Sequence, residues 1–185
     1  MSKHESTKKL LADTMKKLAA KKNLDKISIS ELVEAAGLNR QTFYYHFQDK
    51  QELIWWIFDY DFAHLKDKKN HNILLDDLIE HMYLEKDFYI DAIASDAQNN
   101  LRTHMYEVCN NRCAERLKQI LGDRHMDEKY MDMVVGIYTN AVVGTLAQWM
   151  QKGMAAINTD FLDDYASFMI ELLEFAADKF GKGQH

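Results

Sequence analysis

Residues 27 to 54 read ISISELVEAAGLNRQTFYYHFQDKQELI, and the fold turns on what that run encodes. Ser28 followed by Glu31 is a capping box, the pattern that satisfies free N–H groups at a helix start. Leu32, Val33 and Ala36 make an apolar stripe, and Gly37 stops the helix because it takes up left-handed backbone without strain. Leu38 returns to the core and Asn39 is a good N-cap, which predicts a short helix over residues 40 to 47. Asp49 with Glu52 gives another capping pair, so a further helix starts near Lys50 and runs to about residue 64. Helix, glycine-containing turn and short helix together are the helix-turn-helix arrangement.

Within the short helix Phe43 and Phe47 are four apart and face inward, which turns Arg40, Gln41, Thr42, Tyr44, Tyr45 and His46 outward or to the edges. That set joins a guanidinium and an amide suited to base edges with hydroxyls and rings suited to phosphate or thymine methyl groups. A short polar helix on a small bundle is the plainer alternative. The helix after it carries Leu53, Ile57 and Tyr60 on one stripe and Trp55, Phe58, Phe62 and Leu65 on another. A helix apolar on both sides must be covered twice, and the reading is that the head covers one side and the body the other.

Nearer the N-terminus, Leu10, Leu11, Met15, Leu18 and Ala19 recur at helical spacing between lysines and predict a first helix over residues 4 to 22. Residues 1 to 50 hold ten Lys or Arg against six Asp or Glu, for +4, whereas the remainder holds thirteen against twenty-three, for −10. A basic head on an acidic body suits a polyanionic partner, though a solvated lysine-rich helix face reads the same way. The chain has no proline and only seven glycines, where average usage would give about nine prolines. Since proline breaks helices, the class expected is all-α.

Cys109 and Cys113, the only cysteines, lie four apart on one predicted helix and cannot staple distant segments. Two thiols and a charged start, MSKHESTKK, without the apolar run of a signal peptide, point to the reducing cytoplasm. No apolar run approaches the roughly twenty residues that span a bilayer, so no membrane is expected.

Beyond residue 64 the periodicity predicts helices at about 72 to 84, 87 to 95, 98 to 121, 127 to 153 and 158 to 180. Eight of the ten methionines lie here with many tyrosines. Such soft side chains usually form core, yet they also suit a pocket for an apolar or amphipathic effector. Met82, Met105, Tyr106, Cys109, Tyr138 and Trp149, with Arg102, are the candidates to line it. Gly136, Asn140 and Gly144 recur every four residues and would let another helix approach closely. Phe161, Tyr165, Met169, Leu172 and Ala176 make a stripe on the last helix, so both helices are candidates for a dimer interface, unless the protomer buries them itself. No HExxH, GxSxG or glycine-rich phosphate loop occurs, so neither an enzyme nor a cofactor is expected. His104, Cys109 and Cys113 raise a metal or thiol sensor as a lesser alternative.

The run from Ile27 to Ile54 resembles the DNA-binding signature of the TetR/AcrR family of transcriptional regulators, a likeness covering roughly residues 7 to 55. The resemblance implies that Arg40, Gln41, Thr42, Tyr45 and His46 approach bases while Ser28, Tyr44 and Lys50 hold phosphates. It further implies dimerisation through a four-helix bundle built from the last long helices. The run Tyr138 to Met154, YTNAVVGTLAQWMQKGM, resembles the C-terminal domain of regulators of the dihydroxyacetone kinase operon activator group. The expected organisation is thus a three-helix helix-turn-helix domain over residues 1 to 50 and a helical effector-binding and dimerisation domain over 51 to 185. Its partners would be near-palindromic double-stranded DNA, a second copy of the chain and a small-molecule effector that releases a repressor. An activator docking a protein co-regulator is the alternative.

Overall fold

Nine α-helices and one 3-10 turn make up the secondary structure of the computed structural model among its described residues, 3–65, 74–95, 100–155 and 159–183. They are α1 (Lys3–Ala19), the turn η1 (Leu24–Lys26), α2 (Ile29–Ala35), α3 (Arg40–His46), α4 (Lys50–Leu65), α5 (Leu74–Leu84), α6 (Lys86–Ala94), α7 (Leu101–Leu121), α8 (Glu128–Gln151) and α9 (Thr159–Phe180). Every predicted helix is present, and the class is all-α. Residues 72–73, 98–99 and 158, the first residues of three predicted helices, lie outside the described residues. The largest difference at a helix end is in α1, which stops at Ala19, three residues short of the prediction, before η1 begins after its cap Asn23, whose side chain accepts from the Asp25 N–H.

Among the described residues the packing divides into two compact units, the first running from α1 to Leu101 apart from the start of α5, the second holding that start together with everything from Arg102 onward, including α8 and α9. In the first, α1 packs on α2, α3, α4 and α6, burying Leu11, Met15, Leu24, Ile27, Leu32, Phe43, Phe47, Leu53 and Ile57. Gly37 ends α2 at φ +66°, and the Leu38 N–H reaches back to the Val33 carbonyl, the six-residue closure that a left-handed residue permits.

Asp61 of α4 is 8% exposed and sits at the crossing of four helices. Its Oδ2 lies 2.7 Å from Nζ of Lys16 on α1, 3.0 Å from Nε2 of His81 on α5 and 2.6 Å from the donating hydroxyl of Tyr89 on α6. Burial alone would raise its pKa. The contacts with His81, Lys16 and Tyr89 outweigh that and hold the carboxyl below its ordinary value.

In the second unit Cys113, Leu117 and Leu121 of α7 meet Val134 and Val135 of α8 and Leu173, Ala176 and Ala177 of α9 in one apolar core. The ends are tied where His125 and Lys182 exchange backbone hydrogen bonds of 2.9 and 2.7 Å. Arg124 donates to the carbonyls of Ile120, Leu121 and Ala177 and to Asp178, closing the C-terminus of α7 against α9.

Candidate nucleic-acid interface

The Ser28 hydroxyl accepts from the Glu31 N–H at 3.2 Å to start α2, while the Glu31 carboxylate pairs with Lys22. Asn39 starts α3 by accepting from both the Thr42 N–H, at 2.8 Å, and the Thr42 hydroxyl, at 3.1 Å. Phe43 and Phe47 are buried, so the helix is anchored by one face. Arg40, Gln41, Tyr44 and Tyr45 are consequently exposed, Tyr45 at 74%, while Thr42 and His46 are half-buried at the edges.

The exposed groups are partly organised before any ligand arrives. Arg40 Nη1 donates to the Ser30 hydroxyl at 2.8 Å and Nη2 to the Tyr44 hydroxyl at 3.1 Å, with the guanidinium 5.7 Å from the Tyr44 ring. Two of its five N–H donors are engaged in these bonds, which steer the plane across α2 and α3. Tyr44 accepts from Arg40 and keeps its own O–H proton to give. His46 meets His4 of α1, the ring centroids 4.2 Å apart and edge to face.

Lys50 was expected as a phosphate-holding ammonium at the start of α4. In the structure its Nζ donates to three backbone carbonyls, Leu24 at 2.9 Å, Asp25 at 3.2 Å and Ile27 at 3.2 Å. An ammonium has three donors, so this one is fully committed to η1. Burial lowers its pKa, and the charge of Asp25 offsets this only in part. The same turn is held from α6, where Asp91 accepts from the Leu24 N–H at 2.7 Å and the Asn23 amide at 3.1 Å, and Ser95 donates to Asp25. Sequence reading missed η1 as a joint, since three residues carry no periodicity.

In the second unit a cavity of about 480 Å³ lies between α7 and α8, lined by Arg102, Thr103, Tyr106, Glu107, Asn140, Val143 and Gly144. Of the expected pocket residues it contains Arg102 and Tyr106 only. Met105 is buried, Cys109 and Tyr138 are half-buried, and Met82 is buried in the first unit. Trp149 donates from Nε1 to the Ala155 carbonyl at 2.7 Å, closing the C-terminal turn of α8. Asn140 and Gly144, expected at a dimer interface, line the cavity in the protomer, and the Asn140 amide donates back to the Gly136 carbonyl at 2.8 Å. A Cβ added at Gly136 or Gly144 would meet nothing within 4 Å.

On α9, Met169 is buried and Tyr165 half-buried, its hydroxyl 3.4 Å from the Ala141 carbonyl. Phe161 and Leu172 are exposed with Phe168 and Phe175, at 56% and 63%, and on α8 Met133 and Ile137 are exposed too. Burial pushes the Cys113 thiol up to about 12, with Cys109 adding to it. Burial likewise raises Cys109, against Thr139 and Arg112. Both thiols are thus poor thiolates near neutrality. Among the described residues no group of three or more His, Cys, Asp or Glu is arranged to hold a metal ion, and no helix is long and apolar enough to cross a membrane.

A helix anchored by two phenylalanines, presenting arginine, glutamine and two tyrosines after a glycine turn, defines a helix-turn-helix DNA-binding protein. The chain matches the family described as bacterial regulatory proteins, tetR family, over residues 11–54, and the transcriptional regulator C-terminal region of TetR proteins over residues 69–171. The chain belongs to the TetR family of DNA-binding transcriptional regulators, a family of regulators and not of enzymes.

One curated relative, the HTH-type dhaKLM operon transcriptional activator DhaS of Lactococcus lactis subsp. lactis (strain IL1403), is 42% identical over 65 residues. That match spans 35% of this chain and 35% of the relative's length. Among solved structures, a dihydroxyacetone kinase operon activator DhaS superposes with a TM-score of 0.66 at 22% identity, covering 95% of this chain and 98% of the other. A TetR-family regulator from Streptomyces coelicolor superposes with a TM-score of 0.57 at 16% identity, covering 97% and 85%. At these identities the superpositions speak to the fold.

Proposed function

We propose that the protein is a cytoplasmic, homodimeric regulator that reads a near-palindromic operator with α3 and responds to an effector. The observation that carries this is the exposed face of α3, with Arg40, Gln41 and Tyr45 outward and Phe43 and Phe47 locked beneath. Arg40, Gln41, Thr42, Tyr45 and His46 approach base edges. Ser28 and Tyr44 hold the flanking phosphates, and Lys50 acts through the joint that it braces. A two-fold dimer imposes its symmetry on the site, which makes the operator near-palindromic. A small polar effector fits the α7–α8 cavity, since Arg102, Glu107, Asn140 and Tyr106 offer charge and hydrogen bonds of both kinds. Its binding lowers DNA affinity by its preference for one of two states, typically about 1 to 3 kcal/mol of coupling.

A second reading, activation rather than repression, is favoured by the names of the two DhaS relatives, both activators. A promoter fusion that brightens when the protein is supplied supports activation, and one that dims supports repression. The DNA reading is tested by Arg40→Ala. It should weaken binding to a selected duplex by about 1 to 3 kcal/mol and relax preference at one base pair, as loss of a bidentate base contact does. Equal loss on selected and random duplexes would remove the base-reading role from Arg40.

A further inference from the structure

The end of α3 nearest α1 carries two imidazoles in contact. His46 is the last residue of α3, His4 lies in the first turn of α1, and their ring centroids are 4.2 Å apart at 71°. The Tyr45 ring closes the group, 5.6 Å from His4 and 5.0 Å from His46. Lys8, one turn further along α1, holds its ammonium 4.9 Å from the Phe47 ring and 5.9 Å from that of Trp56 on α4. The groups facing His46 are therefore His4 and Lys8 from α1 and Tyr45 from its own helix, with α4 contributing Trp56 beside Lys8. His46 Nδ1 is buried without a hydrogen-bond partner. Burial lowers the His46 pKa first, and the charges of His4 and Lys8 lower it further.

We propose that His4 belongs to the DNA-contacting surface and that His46, packed against it, takes up a proton when DNA binds. The inference rests on the reading of α3 as the DNA-contacting helix. In the free protein the partial burial of His46 and the charges nearby on α1 make an imidazolium there unfavourable, so His46 stays neutral near physiological pH. Phosphates arriving along α3 reverse the balance, because their charge favours an imidazolium where burial and the neighbours on α1 opposed it. The proton then counts as an added cation in the complex and adds its share to counterion release. The sign follows from linkage. The complex binds more protons than the free components, so affinity rises as pH falls through the window between the two pKa values. Histidine is the side chain whose ordinary pKa puts such a change near neutrality.

The test measures binding of the full chain, by fluorescence anisotropy between about pH 5.5 and 8 at fixed ionic strength, around the ordinary histidine pKa. The probe is a duplex enriched from a random pool by the wild-type protein. Wild type should lose up to about tenfold in affinity per pH unit through the steepest part, the slope of one proton. His4→Gln and His46→Gln should each flatten it. Calorimetry in two buffers of different ionisation enthalpy should report the same proton as a difference in heat. His4 is exposed, so His4→Gln stands as the test even where His46→Gln folds poorly. Wild-type and His4→Gln slopes that coincide over the whole range, with both proteins binding the duplex, overturn the proposal and leave the reading of α3 intact. No retention of the duplex at any pH overturns both.

Discussion

Lys50 shows what one side chain does that its position in the sequence does not announce. A lysine at the start of a helix after a recognition helix reads as a free cation, and the resemblance to TetR proteins gives it a phosphate. Its Nζ instead donates to the carbonyls of Leu24, Asp25 and Ile27 in and just after η1, of which Leu24 also accepts from the Ile27 N–H. Lys50→Met keeps the aliphatic stem and deletes the donors. The expected result is a stability loss of about 1 to 3 kcal/mol, the cost of leaving partly buried acceptors unpaired. It is read as a lower denaturant midpoint at unchanged slope. DNA affinity should fall as the joint loosens, while the salt dependence changes by less than the roughly one unit that a lost phosphate contact removes. A full unit lost at unchanged stability would return Lys50 to phosphate binding. By contrast Phe43, Phe47, Asn39 and Gly37 were legible residue by residue, because their tasks are set within four or five positions of chain.

At the scale of elements the helices were legible nearly to their ends, since an apolar period of 3.6, a cap and the absence of proline are local signals. The contacts that lock α4 were not. It reads as an apolar rod to be covered by head and body. Within its own unit it is crossed by α1, α5 and α6 around Asp61, whose partners Lys16 and Tyr89 lie 45 and 28 residues away. No local pattern links residues so far apart. Asp61→Ala would leave the Lys16 ammonium, with its side chain 10% exposed, without its closest counter-charge. The expected loss is about 3 to 5 kcal/mol, the range for breaking a buried pair from one side. The pH dependence has a definite sign. Asp61 titrates below its ordinary value in the folded state, so its contribution is complete above that value. It disappears as pH falls through the lower, folded one. Thermal melts of wild type and Asp61→Asn should therefore differ near neutrality and converge in acid, below about pH 4. A constant gap between the two melts down to pH 2 would show that the carboxylate charge contributes nothing there.

For the whole molecule the proposed dimer raises the question of which face of α9 a second copy would meet, and here periodicity alone was ambiguous. Phe161, Tyr165, Met169, Leu172 and Ala176 form a stripe at helical spacing, but so do Phe161, Phe168, Leu172 and Phe175, and the sequence does not say which one turns inward. Met169, Leu173, Ala176 and Ala177 are buried, the last three in the core with α7 and α8, so those side chains have no surface left to give a partner. What remains open is the phenylalanine face, with Met133 and Ile137 exposed on α8. Exposed apolar side chains in such a row are what association surfaces carry and what monomers keep scarce. The two faces therefore predict opposite phenotypes. Phe168→Glu combined with Phe175→Glu places like charges opposite each other across a two-fold interface. It should convert a particle of twice 21.7 kDa into a monomer in sedimentation at micromolar concentration, with the melting temperature of each chain little changed. The monomer should bind one half-site and lose the preference for near-palindromic duplexes, because that preference comes from the symmetry of the pair. Met169→Ala should do the reverse. It removes packing from the core of the unit and should cost about 2 to 5 kcal/mol of stability while leaving the association state as it was. A double glutamate variant that still sediments as a dimer would mean that the chains associate through another surface.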